Sequence, residues 1–232
     1  LLHFSEQIKQ SFSNFEIFNI FISNKLLLLF LFKKEILVVD SSIADLLFRM
    51  VNIHHFFYPE LKPFFDIEKV QKIENDLLKI DPNIFDNFEE KRQIGENDSF
   101  ICKLIRNDSI HEFVYYVNHS NLPLSSKIKP SIFETNPYLI ENEPTLAEYA
   151  AFYGSIKIFN YIKSHSNDDE NINNEFVYAI HSKSSMMIHL LEENNSHIYD
   201  HHHTMYICES IKCHHNNIAD YFLNEKSQLL CE

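Results

Sequence analysis

Only two glycines occur in the 232 residues. One of them, Gly154, sits in "PTLAEYAAFYGSIKIFNYI" between two short apolar runs. A helix that ends in a left-handed cap favours a residue without a Cβ, so the first run reads as a helix closed by Gly154. Ser155 then offers an N-cap for a second helix carrying Ile158, Phe159 and Ile162. Tyr149, Ala150 and Ala151 are flat or small, as a helix needs where it meets its neighbours closely. The stretch predicts two antiparallel helices joined by a tight turn. The same glycine shortage excludes phosphate loops and dinucleotide fingerprints, which need several glycines at fixed spacing.

The pattern recurs. Tyr149-Ala150 returns as Tyr178-Ala179 in "YAIHSKSSMMIHLL", and "ESIKCHHNNIADYF" places Ser210-Ile211 in the small-apolar positions, at intervals of about 30 residues. Upstream, "KLIRNDSIHEFVYYV" has Asp108-Ser109 in the turn, with Ile110, Phe113 and Tyr116 beyond it. Lys183 and His214 stand where Gly154 stands, so the repeats are degenerate. Four helix pairs at near-constant spacing imply a helical-hairpin solenoid, in which neighbours bury faces that no single pair could bury.

The remainder of the chain is also read as helical. "FSEQIKQSFSNFEIFNIF" spaces Phe4, Ile8, Phe12 and Phe15 along one helical face. "FEIFNIFISNKLLLLFLF" reads as two buried segments flanking a turn, because Asn19, Ser23, Asn24 and Lys25 interrupt a run too short to span a membrane. Asp40, Ser41 or Ser42 can cap a helix whose face holds Ile43, Leu46, Leu47 and Met50. Asp66 can cap another, striped by Ile67, Val70, Ile73, Leu77 and Leu78 and stopped at Asp81-Pro82. Pro123, Pro130, Pro137 and Pro144 forbid continuous helix between them. The expectation is an all-α chain with an N-terminal helical domain over 1–94. Degenerate repeats occupy 95–232, interrupted by a proline-bearing connector over 118–144.

A formal net charge of −13 disfavours a nucleic-acid surface and an anionic membrane surface, since both need clustered Lys and Arg. Four scattered cysteines give no disulfide framework and suit reduced thiols. The location expected is intracellular and cytoplasmic. A chain beginning at Leu1 reads as a piece of a longer product.

With these residues in view, "TLAEYAAFYGSIKIF" resembles the ankyrin repeat, in which T-P-L-H-x-A-A is followed by a glycine turn and a second helix. Leu146 replaces the proline and Glu148 the histidine. "QIGENDSFICKLIRNDSIHEFVYYV", "SIFETNPYLIENEPTLAEYAAFYGSIKIF" and "ESIKCHHNNIADYF" are similar to a family of degenerate ankyrin-repeat proteins expanded in anaerobic protists, with an N-terminal helical domain of unknown function. The resemblance covers about Gln93 to Phe222. It implies protein binding without catalysis, to an unidentified partner and with no cofactor. Carried over by position, the variable residues that follow the two alanines are Phe152 and Tyr153, His181 and Ser182, Lys212 and Cys213, with Arg106 and Asn107 upstream. Phe152 and Tyr153 lead, since aromatic residues are enriched in interface hot spots. The alternatives are a purely structural N-terminal part of a longer array and, behind it, a His/Cys zinc-binding protein.

Fourteen histidines also raise metal binding. "SHIYDHHHTMYICESIKCHH" gathers His197, Asp200, His201, His202, His203, Cys208, Cys213, His214 and His215, donors that suit zinc. The spacing matches no zinc finger, and the triple histidine is expected in an exposed inter-repeat loop, so no metal site is assigned. Catalysis finds little support. Cys213 and His214 are adjacent, so on a helix they point about 100° apart. The carboxylate pairs Glu89-Glu90, Asp168-Asp169 and Glu192-Glu193 lie in polar contexts.

Overall fold

In the computed structural model the described residues are 5–166, 172–182, 184–193 and 199–229. Their regular structure is helical, beside one isolated bridge between Lys127 and Thr145. No helix among them is long and apolar enough to cross a membrane. The chain divides into two compact units, Leu1–Asp98 with Pro130–Asn142, and Ser99–Lys129 with Glu143–Glu232.

The first unit begins with α1 (Ser5–Ser11), α2 (Asn14–Phe21) and α3 (Lys25–Lys33). The single amphipathic helix expected through Phe15 is broken at Ser13. Its hydroxyl accepts from the Glu16 amide while the Glu16 carboxylate accepts from the Ser13 amide, a capping box that starts a new helix. Phe12 and Phe15 are consequently exposed. The apolar run from Phe15 to Phe32 does form two helices around a turn. Next come α4 (Ser41–Arg49), capped by Asp40, and the short α5 (Val51–His54) and α6 (Tyr58–Leu61). α7 (Ile67–Ile80) is capped by Asp66 and stops before Asp81-Pro82, and α8 (Phe88–Ile94) follows. The α7 stripe is narrower than its spacing suggests: Ile73 and Leu77 are buried, whereas Ile67 is 75% exposed and Leu78 is exposed.

One core gathers Ile17, Phe18, Leu28, Leu31, Phe56 and Phe57, and a second gathers Ile73, Leu77, Ile84, Phe88 and Phe133. Two cations are buried beside these aromatics. Arg92 is 0% exposed and donates to both Glu60 oxygens, at 2.6 and 2.7 Å, and to the Phe56 carbonyl. Lys25 donates to the Glu134 carbonyl at 3.0 Å, and burial lowers its pKa to about 8.

After α9 (Phe100–Arg106) and α10 (Ile110–Ser120), which open the second unit, residues 130–142 return to the first and carry α11 (Pro137–Asn142). The division thus falls after Asp98 rather than Ile94, and it splits the proline-bearing connector. Hydrogen bonds show why. Thr135 donates its amide and hydroxyl to the Gly95 carbonyl, and the Asn97 amide donates to the Glu134 carboxylate. Gly95 closes α8 at φ +72°, and a Cβ there would lie 2.7 Å from the Thr135 hydroxyl.

The second unit continues with α12 (Leu146–Tyr153), α13 (Ile156–His165), α14 (Ile172–Ser182), α15 (Ser185–Glu193), α16 (Tyr199–Lys212) and α17 (Asn216–Leu229). They form successive pairs, α9/α10, α12/α13, α14/α15 and α16/α17. The first helix of each pair packs on the next: α9 on α12, α12 on α14, α14 on α16. Close approach relies on small buried residues at one register position, Ala150, Ala179 and Ser210. Ile211 departs from its expected place in this apolar contact and is 54% exposed.

Three of the turns share one geometry. Asp108, Gly154 and His214 have φ of +47°, +69° and +57°. Each of these amides bonds the carbonyl three residues back, and the following amide bonds the carbonyl five back. This is the Schellman ending. Lys183 lies outside the described residues. Ser155 takes the N-cap position of α13, but its side chain does not cap that helix. Its hydroxyl donates to the Ile105 carbonyl at 2.6 Å, while Asp108 accepts the Lys157 and Ile158 amides at 3.2 and 3.0 Å. These two neighbouring turns therefore complete each other. At the start of α12, Thr145 and Glu148 form a capping box, so Glu148 supplies a cap of its own where the ankyrin pattern has histidine.

Candidate functional site

The residues that follow the small positions stand at the C-terminal ends of the first helices, just before the Schellman turns. Because successive first helices pack side by side, equivalent positions become neighbours. Arg106, Phe152, His181 and Lys212 occupy one register position; Asn107, Tyr153, Ser182 and Cys213 occupy the next.

Most of these residues join into one ridge. Arg106 donates to the Tyr149 hydroxyl at 2.7 Å, and its guanidinium lies 5.8 Å from the Tyr153 ring centroid. Tyr153 packs on Tyr149 at 4.8 Å and on Phe152 at 5.1 Å. The Phe152 ring stacks on His181 at 5.6 Å, with the planes 26° apart, and meets Tyr178 edge-on. His181 Nε2 then lies 3.2 Å from Glu209 Oε1, and Cys213 Sγ lies 3.5 Å from His181 Nδ1. Lys212 donates to Glu209 Oε2 at 3.0 Å. Arg106, Phe152, Tyr153, His181 and Cys213 are half-buried, so each packs on a neighbour and keeps part of its surface in water.

Two of the positions chosen from sequence have other roles. The Ser182 hydroxyl donates to the Ala179 carbonyl and accepts from the Ser184 amide, serving its own turn. Asn107 is exposed at the C-cap of α9.

The electrostatics favour neutral groups along the ridge. Burial lowers the His181 pKa, against the Glu209 hydrogen bond that raises it. Burial, helped by Glu209, raises the Cys213 thiol, and burial strongly raises the Tyr149 hydroxyl. A thiol held protonated beside a neutral imidazole is a poor nucleophile, since reactive cysteines have lowered pKa values.

The histidine-rich segment is not the exposed loop expected of it. The backbone of His201, His202 and His203 lies within α16. His197 and Cys231 fall outside the described residues. Cys208 is exposed on α16, His214 forms the left-handed turn, and His215 is buried with its Nδ1 lacking a hydrogen-bond partner. Cys213 faces His181 rather than His214. Sequence reasoning passed over Tyr149, Glu209 and Tyr178 as members of the ridge. The i, i+4 spacing of Glu209 and Cys213 was a legible signal for one shared face.

No protein family matches this chain, and no curated protein or solved structure does either.

Proposed function

We propose that the second unit is an ankyrin-type helical-hairpin array and that the chain is a non-catalytic module binding another protein along the ridge. One observation carries the reading. Side chains at two adjacent register positions of consecutive pairs, Arg106, Phe152 and His181 with Tyr153, form a continuous half-exposed surface on a scaffold of small buried residues and repeated turns. Stacked repeats build extended binding surfaces in this way, and aromatic residues with arginine are the side chains enriched in interface hot spots. The raised Cys213 thiol supports binding over nucleophilic catalysis. The acidic net charge supports a protein partner over a nucleic acid.

The test is capture of a partner from lysate of the source organism with wild type and with Phe152→Ala/Tyr153→Ala, after circular dichroism shows both folded. Because both rings also pack internally, Lys212→Glu, at an exposed position, provides a second, surface-directed set. A partner held by wild type and released by both sets supports the ridge. Retention by both sets sinks it and turns attention to the first unit.

A further inference from the structure

The cluster of His181, Glu209 and Cys213 offers a second function that the binding reading does not need. Its three donors come from two consecutive first helices: His181 from α14, Glu209 from α16 and Cys213 from the residue that follows α16. One donor atom from each lies within 4.8 Å of the other two. Tetrahedral zinc, with Zn–N and Zn–O near 2.0 Å and Zn–S near 2.3 Å, requires N···O and N···S edges of about 3.3 and 3.5 Å. The corresponding distances here are 3.2 Å from His181 Nε2 to Glu209 Oε1 and 3.7 Å from His181 Nε2 to Cys213 Sγ. But Sγ also lies 3.5 Å from Nδ1, so the thiol sits beside the ring and must swing about its χ1 toward the Nε2 lone pair to share an ion with it.

The donor chemistry suits one ion at this cluster. Imidazole nitrogen, thiolate sulfur and carboxylate oxygen together suit a borderline ion that has no geometric preference of its own. A glutamate and a thiolate balance a divalent charge, so the loaded site is neutral in its half-buried setting. Lys212 holds Glu209 Oε2 and leaves Oε1 directed at His181, the kind of outer contact that orients a ligating carboxylate. Coordination would replace the Cys213 proton, released to solvent, with a sulfur–metal bond.

We propose that His181, Glu209 and Cys213 form a zinc site with water completing the tetrahedron, clamping the third helix pair to the fourth. The ion fixes His181 and, through the stacked ring, the face of Phe152 in the ridge. The site stands on its own distances, so it survives even if the protein-binding reading fails.

Untagged protein, stripped of metal under reducing conditions, is titrated with zinc against a chromophoric chelator. Cobalt is then used as a spectroscopic replacement. The expected result is one equivalent bound, a thiolate-to-cobalt charge-transfer band, and a rise in melting temperature with zinc. Cys213→Ser and His181→Gln should weaken binding by more than the roughly 10- to 100-fold that follows loss of an outer-shell contact. Circular dichroism and thermal melts of the metal-free variants are recorded beside metal-free wild type. The rise in melting temperature on adding zinc, present in wild type and absent in both variants, separates loss of a ligand from loss of packing. A His201→Ala/His202→Ala/His203→Ala variant should bind zinc as wild type does. Binding unchanged in Cys213→Ser, binding abolished in the triple-histidine variant, or less than one equivalent in wild type each overturns the site.

Discussion

The two units solve the problem of burying a helical chain in different ways. The first packs large aromatics, Phe18, Phe56, Phe57 and Phe133, among short helices, and it accommodates two buried cations. Its helices end by local devices: the Ser13–Glu16 capping box, the Asp40 and Asp66 caps, and the stop before Pro82. The second unit buries aromatics too, Phe113, Tyr149, Phe159 and Phe222, but sets small residues, Ala150, Ala179 and Ser210, where its first helices meet, and it repeats one turn geometry. Some of its helix ends are local, as the Thr145–Glu148 box of α12 is, but others are completed by the adjoining pair, as Asp108 does for α13 and Ser155 does for α9. A core made once can take irregular shapes, such as the aromatic cluster around Arg92. A core made by stacking brings equivalent positions of successive pairs together, with Ala150, Ala179 and Ser210 at three of the four.

Substitutions that attack one solution at a time sharpen this contrast. The largest effect is expected at Arg92. Removing its charge by Arg92→Met leaves Glu60 partly buried without its bidentate partner, a loss of about 3–5 kcal/mol. Urea unfolding followed by hydrogen exchange should place that loss in the first unit. Equal loss of protection in α12 and α14 would mean that the units do not unfold separately.

The buried Lys25 gives a pH signature. Its pKa is about 8 in the folded chain, against about 10.4 when unfolded. Below pH 8 the ammonium is charged in both states and its burial counts against the fold. Between these values the unfolded chain binds more protons, so stability should rise with pH, by up to about 3 kcal/mol from this group. Lys25→Met should abolish that rise in denaturation measured at pH 7.5 and 10.5. Parallel wild-type and variant curves would refute it.

The two glycines make a matched pair, one per unit, at φ +72° and +69°. An L-residue pays about 1–2 kcal/mol in this region. Gly154→Ala should cost about that much, since its Cβ would meet the Ser184 Cβ at 3.0 Å. Gly95→Ala should cost more, because Leu26 and Thr135 approach to 2.9 and 2.7 Å. Thermal melts of the two variants rank them directly, and the reverse order would break the argument. Asp108→Ala should remove the shared cap of α13 at about 1 kcal/mol. The smallest change has the opposite sign: His214→Gly relieves a left-handed residue and should raise stability by up to about 1 kcal/mol. A melting temperature that falls instead would show that the His214 side chain contributes something the turn geometry does not require.

Much of the helical content was legible because it is local. Asp40 and Asp66 announce their helices by side chains that reach amides three residues on, and Pro82 stops α7 by its own ring. Gly154 announces a turn because only a residue without Cβ adopts that conformation freely. The break at Ser13 was equally local, encoded in Ser13 and Glu16, and was missed because the apolar spacing from Phe4 to Phe15 runs straight across it.

Other features belong to the tertiary structure, since they join residues far apart in the chain. The return of 130–142 to the first unit depends on Thr135 meeting Gly95 and Glu134 meeting Asn97. Capping of α13 by Asp108 rather than Ser155 depends on two turns being stacked. His181 comes to Glu209 and Cys213 only because α14 packs against α16. The sequence by itself determined the period, the caps and the residue types at each register position, because those follow from covalent neighbours and a 3.6-residue turn. Which caps serve which helix, and which donors share a few ångströms, only the packing decided, because the distances between successive helix pairs are set by contacts that no single pair contains.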